Sequence, residues 1–347
     1  MLVIGGRKIG AGHPMFVIAE MSCNHHGRYA EAARLVRAAK AAGADAIKLQ
    51  TYTPDTMTLD GDQPWFKIKG TIWNGRGLYG LYKEAMTPWE WHAPLKKLAN
   101  SLGLVLFSSP FDASAVDFLE RLRMPAYKIA SFENGDIPLI RKVARTRKPV
   151  IVSTGTATTA EVDEAVKTLR AAKAKFALLK CVSAYPAPES EMNLRAIPAL
   201  AARHGVPVGL SDHTLGATTA IAAAALGACV LEKHLILKRS AGGPDAKFSM
   251  EPAEFKAMVR AIRSAEAALG DGKLGPAPSE APSRAFRRSL FVVEDVKKGE
   301  RLTPGNLRAI RPGNGLSPRE FDAAIGRRAK ADIARGTPLS WDLLKSR

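Results

Sequence analysis

The sequence predicts an α/β protein, a (β/α)8 TIM barrel followed by a small, mainly β-stranded domain. Up to about residue 270, short β-rich apolar runs alternate with Ala-rich segments of helical period. Eight such units in about 270 residues match this barrel in both count and size. Near residue 270 a Gly/Pro/Ser-rich segment replaces the alternation, and short strands with Gly turns follow it.

The apolar runs give the strands of the predicted barrel. They cover residues 15–20, 46–50, 105–108, 126–130, 150–153, 176–180, 206–210 and 229–232. The segments between them have helical period, as in the first, where Ala32, Leu35, Val36 and Ala39 recur on one face and Gly43 follows. Strands that alternate with helices pair in parallel. An open, doubly wound sheet is the alternative, which the lack of a Gly-rich dinucleotide fingerprint after the first strand disfavours.

The second and third strands are separated by an unusually long segment, residues 51–101, with several Trp and Tyr side chains. An insertion of this kind on the active face of a barrel often forms a substrate wall or lid. The alternative is a surface excursion whose aromatic residues only pack it down.

The change in sequence pattern near residue 270 predicts three parts of the chain: a barrel domain over residues 1–270, a linker over 271–288 and a small domain over 289–347. A domain of about 60 residues has a marginal core of its own. We therefore expect this small domain to pack against the barrel or against a partner chain.

Composition narrows the class of protein. The 347 residues are 46% apolar and 24% charged, with no apolar span approaching about 20 residues and no order typical of a secretory signal. Three scattered cysteines form no disulfide framework, so we expect a cytoplasmic protein. The net charge of +18 comes without a long basic run or an RNA-binding motif. This pattern favours an anionic substrate and predicts no partnership with nucleic acid or membrane.

Two histidines follow the last two predicted strands and are the candidate metal ligands. A pair formed by His213 and His234 suits a divalent transition metal and leaves positions for water or substrate oxygen. A hydrogen-bonded structural histidine is the alternative for each. Asp212 is expected either to orient a ligand or to cap a helix, and Asp245 either to bind the metal, directly or through water, or to sit in a turn.

Two lysines at strand ends, Lys48 and Lys128, indicate an anion site. An unpaired lysine inside a barrel strand is costly, so each requires a negative partner. Hydroxyl groups that suit a phosphate or carboxylate stand at several strand ends: Ser108, Ser109, Ser131, Ser153, Thr154, Ser183 and Ser211. The alternative is internal ion pairing, for example between Lys48 and Glu20.

Glu20 and Glu133 stand at strand ends and are candidates for a general base or for contacts to sugar hydroxyls. Charge balance with the lysines is the alternative for both. No His-paired motif surrounds Cys23 or Cys181, which disfavours a cysteine nucleophile.

At this point the residues resemble a known family, the sialic acid synthases, and the likeness covers nearly the whole chain. Its motifs are Ile18-Ala-Glu-Met-Ser-Cys-Asn-His-His-Gly, Gly43-Ala-Asp-Ala-Ile-Lys-Leu-Gln, Phe107-Ser-Ser-Pro-Phe, Ala126-Tyr-Lys-Ile-Ala-Ser, Val152-Ser-Thr-Gly, Gly209-Leu-Ser-Asp-His-Thr and Glu232-Lys-His. The C-terminal part, with Lys297-Lys-Gly-Glu and Arg311-Pro-Gly-Asn-Gly, resembles the antifreeze-like SAF domain of that family.

Within the family the chain is most similar to the pseudaminic acid synthase subfamily. The similarity lies in Leu49-Gln-Thr-Tyr-Thr-Pro-Asp-Thr, Trp65-Phe-Lys-Ile with Thr71-Ile-Trp, Tyr82-Lys-Glu-Ala-Met-Thr-Pro-Trp-Glu-Trp and Ala130-Ser-Phe-Glu. Cys23 and His26 depart from the usual Ser-Ala-Asn-His-Asn-Gly pattern. The N-acetylneuraminate and legionaminate synthases, which act on mannose-configured sugars, are the close alternative.

The resemblance implies a transferase that forms a carbon–carbon bond. Phosphoenolpyruvate would condense with the open-chain aldehyde of 2,4-diacetamido-2,4,6-trideoxy-L-altrose, with water consumed and phosphate released, to give pseudaminate. Alternatives of other classes are a metal-dependent barrel aldolase, which needs no phosphoenolpyruvate, and a non-catalytic binding protein.

The resemblance also implies residue roles. His213 and His234 would bind a divalent metal (Mn, Co or Mg) that polarises the aldehyde. Glu20 and Glu133 would act as base or hold the sugar, together with Asn24. Asp245 would hold the sugar or a metal-bound water, and Arg311 would reach the sugar from the other subunit of a domain-swapped homodimer. Phosphoenolpyruvate would be held by Lys48, Ser109, Lys128, Ser131, Ser153, Ser183 and Ser211.

Overall fold

The protein is described by a computed structural model that covers residues 1–346 and falls into two compact units. The first unit ends at Gly270 and the second begins at Asp271.

The first unit is built on a closed barrel of eight parallel strands, which confirms the predicted fold. Each predicted strand is present, with ends that differ by no more than two residues. The last two strands run further than predicted, to Asp212 and His234. The barrel strands are β3 (Phe16–Glu20), β4 (Ala46–Thr51), β5 (Val105–Pro110), β6 (Tyr127–Ile129), β7 (Val150–Ser153), β8 (Phe176–Cys181), β9 (Val208–Asp212) and β10 (Val230–His234).

The interior of the barrel changes from apolar to polar along the strands. Alternate residues of a barrel strand face inward. On β3, Phe16 and Ile18 belong to an apolar layer at the amino end of the strands, and Glu20 lines a cavity at the carboxyl end. On β10 the same order holds, with Val230 in the layer and Glu232 in the cavity. The chemistry is therefore confined to the carboxyl end.

A hairpin that precedes the barrel packs on this apolar layer. Strands β1 (Leu2–Ile4) and β2 (Arg7–Ile9) pair antiparallel across a two-residue turn, Gly5-Gly6, in which both glycines have positive φ. Such turns match the twist of a hairpin and need residues without a side chain. The hairpin contributes Leu2, Ile4 and Ile9 to the apolar layer and so closes the amino end of the barrel.

The helices follow the strands as in a regular barrel, with extra elements between β4 and β5. The first helix buries Ala32, Leu35, Val36 and Ala39, the face that the periodicity predicts. The helices of this unit are α1 (Tyr29–Ala41), α2 (Pro54–Met57), α3 (Leu78–Ala85), α4 (His92–Ser101), α5 (Ala113–Arg121), α6 (Ile137–Arg145), α7 (Thr159–Ala171), α8 (Ala196–His204), α9 (Thr218–Ala225) and α10 (Pro252–Leu269).

The second unit is small and mainly β-stranded. Strand β11 (Ser289–Val292) pairs antiparallel with β12 (Leu307–Ile310), and one short helix, α11 (Phe321–Ala324), follows. The unit has a compact apolar core of its own that includes Leu290 and Leu302. Among the helices of residues 1–346, none combines the length and apolar composition that crossing a membrane would require.

Candidate active site

A cavity of about 350 Å³ opens at the carboxyl end of the barrel and gathers most of the predicted site residues. They come from the ends of β3, β4, β6, β7, β9 and β10 and from the loops that follow β6, β9 and β10. The predicted residues that line it are Glu20, Lys48, Lys128, Ser131, Glu133, Ser153, Ser211, His213, His234 and Asp245.

Two buried lysines and two buried carboxylates form the floor of the cavity. The Lys48 ammonium lies 2.7 Å from a Glu20 oxygen and 3.9 Å from Glu232, and Lys128 lies 3.2 Å from Glu232. Gln50 and the backbone N–H of Ser22 also donate to Glu20. The cluster is therefore neutral when all four groups are ionised. Internal pairing, the alternative for the lysines, is what the structure shows.

Glu232 was missed as a separate site residue, although it begins the Glu232-Lys-His motif. The signal was its spacing. Residues 232 and 234 alternate with 233 and face the same side of β10. Ser211 also donates a hydrogen bond of 3.3 Å to Glu232. The carboxylate thus holds the two lysines and a serine at once.

Burial and charge act differently on the ionisable groups of the floor. Burial disfavours the charged form of Lys48, but the carboxylates of Glu20 and Glu232 outweigh it and raise the pKa of this ammonium. Burial lowers the pKa of Lys128, and Glu232 opposes this only in part. Burial raises the pKa of Glu133 to about 7. Glu133 therefore exchanges its proton near neutral pH, as a general acid or base must.

The two candidate metal ligands lie side by side, with ring centroids 5.4 Å apart. His213 Nδ1 is 3.0 Å from the carbonyl oxygen of Val182, and His234 Nδ1 is 3.3 Å from Asp245. His213 Nδ1 thus lies at a backbone carbonyl, and His234 Nδ1 faces a carboxylate without a formed hydrogen bond. Such neighbours at Nδ1 are typical of histidines that bind a metal through Nε2.

The donor set of this pair fits a divalent ion that is completed by other ligands. Within residues 1–346, no group of three or more His, Cys, Asp or Glu side chains is arranged to enclose a metal. Two imidazoles alone leave several coordination positions for water or substrate oxygen, which suits a catalytic ion.

Asp212 does not cap helix α9 and makes no direct hydrogen bond to His213, so any effect on the ligands passes through the strands that carry them. Helix α9 begins after Ala217 without a side-chain cap, and no hydrogen bond joins Asp212 to His213. Its carboxylate instead accepts hydrogen bonds from Thr219 and from Lys233, the latter at 2.8 Å with both side chains fully buried. Because side chains alternate along a strand, this ion pair faces outward, behind the two histidines. It ties together the strand ends that carry them.

The hydroxyls of Ser131 and Ser153 lie in the cavity wall, and that of Ser131 also lies close to Gly155. A Cβ atom at Gly155 would lie 2.3 Å from Ser183 Oγ and 2.7 Å from Ser131 Oγ. The missing side chain lets the Ser131 and Ser183 hydroxyls lie against the Gly155 backbone. Small donors packed around an open backbone are typical of phosphate sites.

Some predicted substrate contacts lie outside the cavity wall. The Ser109 hydroxyl accepts a hydrogen bond of 3.1 Å from Lys48 and so helps to hold the Lys48 ammonium in place. The Asn24 amide donates to the Leu235 carbonyl at 3.0 Å and to Ser249, and thus joins two loops. Arg311 lies exposed in the second unit. Ser183 does not line the cavity either. The substrate contacts of these four residues, like those of the residues in the cavity wall, stay predictions.

One cysteine pairing is visible only in the structure. Cys181 Sγ lies 3.8 Å from His213 Nδ1, although no sequence motif links the two residues. The Val182 carbonyl competes for the same nitrogen at 3.0 Å. Burial raises the pKa of Cys181, but the contact with His213 outweighs it, so this pKa is lowered to about 7. Cys181 does not line the cavity.

The insertion between β4 and β5 forms one wall of the cavity, as predicted. It contributes α2, α3 and the segment between them. The side chains from this insertion that line the cavity are Tyr52, Met57, Ile68, Thr71, Trp73, Leu78, Leu81, Tyr82 and Ala85.

Comparison with known families matches both parts of the chain. The model of the NeuB family matches residues 35–274, and the model of the SAF domain matches residues 287–345. The SAF match agrees with the small β-stranded second unit and confirms that part of the predicted fold class.

Similar proteins cover almost all of the chain. A pseudaminic acid synthase of Campylobacter jejuni is 46% identical over 94% of this chain and 95% of its own length. The pseudaminic acid synthase of Helicobacter pylori is 46% identical over 95% of this chain and 97% of its own. The N,N'-diacetyllegionaminic acid synthase of Legionella pneumophila is 37% identical over 97% and 96%.

One solved structure is similar to this chain over most of its length. The N-acetylneuraminic acid synthetase of Leptospira borgpetersenii, in complex with citrate, superposes with a TM-score of 0.73 at 33% identity. The match covers 81% of this chain and 94% of that one.

Proposed function

Because the chain belongs to the NeuB family, whose sialic acid synthases its motifs resemble, we propose that this nonulosonate synthase is a pseudaminic acid synthase. It condenses phosphoenolpyruvate with 2,4-diacetamido-2,4,6-trideoxy-L-altrose and water, and releases pseudaminate and phosphate. The observation that carries the proposal is the convergence of Lys48, Lys128, Glu133, His213 and His234 in one cavity. The sugar is chosen because relatives named for pseudaminate are 46% identical to the chain, against 37% for a legionaminate synthase.

The charge of the cavity suits phosphoenolpyruvate together with a divalent cation. Since Lys48 and Lys128 are already paired with Glu20 and Glu232, the floor alone has little net positive charge for a phosphate and a carboxylate. His213 and His234 would hold an ion (Mn, Co or Mg), which would supply that charge and Lewis-acid chemistry toward the sugar aldehyde.

The hydroxyls of Ser131, Ser153 and Ser211 line the cavity near the lysines and complete the anion site. Ser131 and Ser153, the latter with a buried hydroxyl that has no partner among the described residues, donate hydrogen bonds to phosphate or carboxylate oxygens. Ser211 does so only when its proton turns away from Glu232. Gly155 supports this site indirectly, because its lack of a side chain leaves room for the Ser131 and Ser183 hydroxyls.

The reaction needs a group that both gives and takes a proton. The phosphoenolpyruvate methylene carbon forms a bond to the aldehyde carbon, and the aldehyde oxygen takes up a proton. Water then adds at carbon 2 and loses one proton. Its second proton passes to the phosphate as the bond from carbon 2 to the phosphate oxygen breaks and the keto group forms. Glu133, with a pKa of about 7, gives the aldehyde oxygen its proton and accepts the first proton that water loses, so the enzyme returns to its starting state.

The same proposal includes a domain-swapped homodimer in which Arg311 of one subunit reaches the sugar bound by the other. The family resemblance is the support for this part. Light scattering at assay concentration is expected to give twice the chain mass. Arg311→Ala is expected to raise the KM for the sugar more than that for phosphoenolpyruvate. A fully active monomer would exclude the swapped arrangement.

The proposal is tested by phosphate release from phosphoenolpyruvate with Mn²⁺. The altrose-configured diacetamido sugar, the mannose-configured diacetamido sugar and N-acetylmannosamine are supplied separately. Release with the altrose compound alone is the expected result. Release with another sugar would keep the chemistry and change the specificity. No release with any of them from metal-replete protein would contradict the synthase assignment and favour an aldolase or a binding protein.

A further inference from the structure

We infer that the insertion between β4 and β5 forms an apolar subsite that selects the 6-deoxy end of the sugar, with Trp73 as its main specificity-determining residue. The inference rests on the proposed function, because it concerns the sugar bound in that same cavity. It names a feature of the substrate that the reaction chemistry does not require, namely a methyl group in place of a hydroxymethyl group at carbon 6.

The first argument is the segregation of charge within the insertion. None of the side chains that residues 51–101 place in the cavity wall is charged; most are aliphatic or aromatic. The same segment carries Asp62, Lys67, Lys69, Lys83 and Glu84, all of which are exposed. The insertion therefore keeps its charged groups out of the cavity wall, and apart from the hydroxyl groups of Tyr52, Thr71 and Tyr82 it presents an apolar face to the ligand. An apolar wall of this kind suits a methyl group and does not suit a hydroxyl.

The second argument is the position of Trp73 relative to the reacting end of the cavity. Its ring lies 5.4 Å from the ring of Tyr185, which in turn lies 4.5 Å from the ring of His213. Trp73 is thus two ring contacts away from a metal-ligand candidate. Since the aldehyde reacts beside the histidines, the other end of an open six-carbon sugar extends toward this wall.

The third argument is that Trp73 has no polar atom left for the ligand. Its indole N–H donates a hydrogen bond of 3.0 Å to the Pro244 carbonyl. This bond fixes the ring and satisfies its one donor, so the ring offers only apolar surface. The neighbouring side chains Ile68 and Leu78 are aliphatic and line the same cavity. A sugar hydroxyl placed against them would lose water without gaining a partner.

The physical chemistry sets the size of the expected selection. An apolar pocket discriminates against an added hydroxyl by about 10- to 100-fold in kcat/KM. The wild-type enzyme is therefore expected to prefer 2,4-diacetamido-2,4,6-trideoxy-L-altrose over its counterpart with a 6-hydroxyl by about that factor.

The test compares kcat/KM for these two sugars in the full-length, metal-replete enzyme. Trp73→Ala is expected to bring the ratio close to one, and Trp73→Phe to keep most of it, because the phenyl ring preserves the apolar surface. Trp65→Ala is the matched control, since Trp65 belongs to the same insertion but is 72% exposed and does not line the cavity. The control is expected to change neither the ratio nor the rate.

A second variant keeps the test decisive if Trp73→Ala fails to fold. Leu78→Asn adds a hydrogen-bonding partner to the same wall and is expected to raise kcat/KM for the 6-hydroxyl sugar while lowering it for the 6-deoxy sugar. Equal use of both sugars by the wild type would overturn the inference and leave the synthase intact. So would an equal loss for both sugars in Trp73→Ala together with an unchanged ratio in Leu78→Asn. No phosphate release with any sugar would instead contradict the proposed function.

Discussion

Replacing Glu133 with glutamine tests whether burial holds this carboxyl group near neutrality. Burial raises the pKa of Glu133 from 4.5 to about 7. Since the folded pKa lies above the unfolded one, the native state binds the proton more tightly. The associated stability is fully present below the unfolded pKa and is lost as the pH rises through about 7. Each pKa unit corresponds to about 1.4 kcal/mol, so the full effect is about 3 kcal/mol.

Glutamine has no charge to desolvate, so it does not share this loss. Between about pH 5.5 and about pH 8, the free energy of unfolding of Glu133→Gln should rise by about 2 kcal/mol relative to the wild type. Urea unfolding of the full chain, followed by tryptophan fluorescence, measures this difference at each pH. Glu164→Gln, at an exposed position on α7, is the control and should show no such trend. A difference for Glu133→Gln that is flat or falls with pH would refute the reasoning.

The same substitution separates a catalytic role from a structural one. As the proton carrier, Glu133 should give kcat/KM a pH dependence with a midpoint near 7, the pKa that burial produces. Glu133→Gln should remove this dependence and lower kcat by about 10²- to 10⁴-fold. Retention of the midpoint in the variant would assign the titration to another group.

Three further predictions concern the surroundings of the site. Lys233→Met should lower the free energy of unfolding by about 3–5 kcal/mol, because it leaves Asp212 buried without its partner. Adding Asp212→Asn to the same chain should recover much of this loss, as measured by urea unfolding. A double variant whose loss equals the sum of the two single losses would contradict the pairing. Gly155→Ala should raise the KM for phosphoenolpyruvate more than that for the sugar, because its Cβ would lie 2.3 Å from Ser183 Oγ; equal changes in steady-state kinetics would argue against a phosphate site there. Removal of metal by a chelator should abolish activity, and Mn²⁺ should restore it. The visible absorption of the Co²⁺-loaded enzyme should be lost in His213→Ala. Activity that resists the chelator would exclude a catalytic metal.

The barrel could be predicted because its strands are buried on both faces and alternate with amphipathic helices. Burial makes each strand a short continuous apolar run, which is visible without knowledge of the fold. The amino-terminal hairpin was missed, since Leu2–Ile4 and Arg7–Ile9 are too short to show a period. The Gly5-Gly6 pair between them was the available signal.

The site could be predicted less completely, because side-chain direction depends on register. His213 and His234 follow from the position of polar residues at strand ends. The sequence alone does not show that Asp212 faces away from the cavity while Glu232 faces into it. Both assignments need the alternation to be counted from a known inward residue, which the closed barrel supplies. The ion pair between Asp212 and Lys233 joins adjacent strands, so it becomes visible only once those strands are paired.

The most direct test of the central claim follows the bridging oxygen of phosphoenolpyruvate. The substrate, with ¹⁸O between carbon 2 and phosphorus, is incubated with metal-replete enzyme and the altrose-configured sugar, and both products are analysed by mass spectrometry. Condensation followed by water addition at carbon 2 predicts a nine-carbon acid together with phosphate that retains the label. Unlabelled phosphate, or phosphate without the acid, would contradict the account.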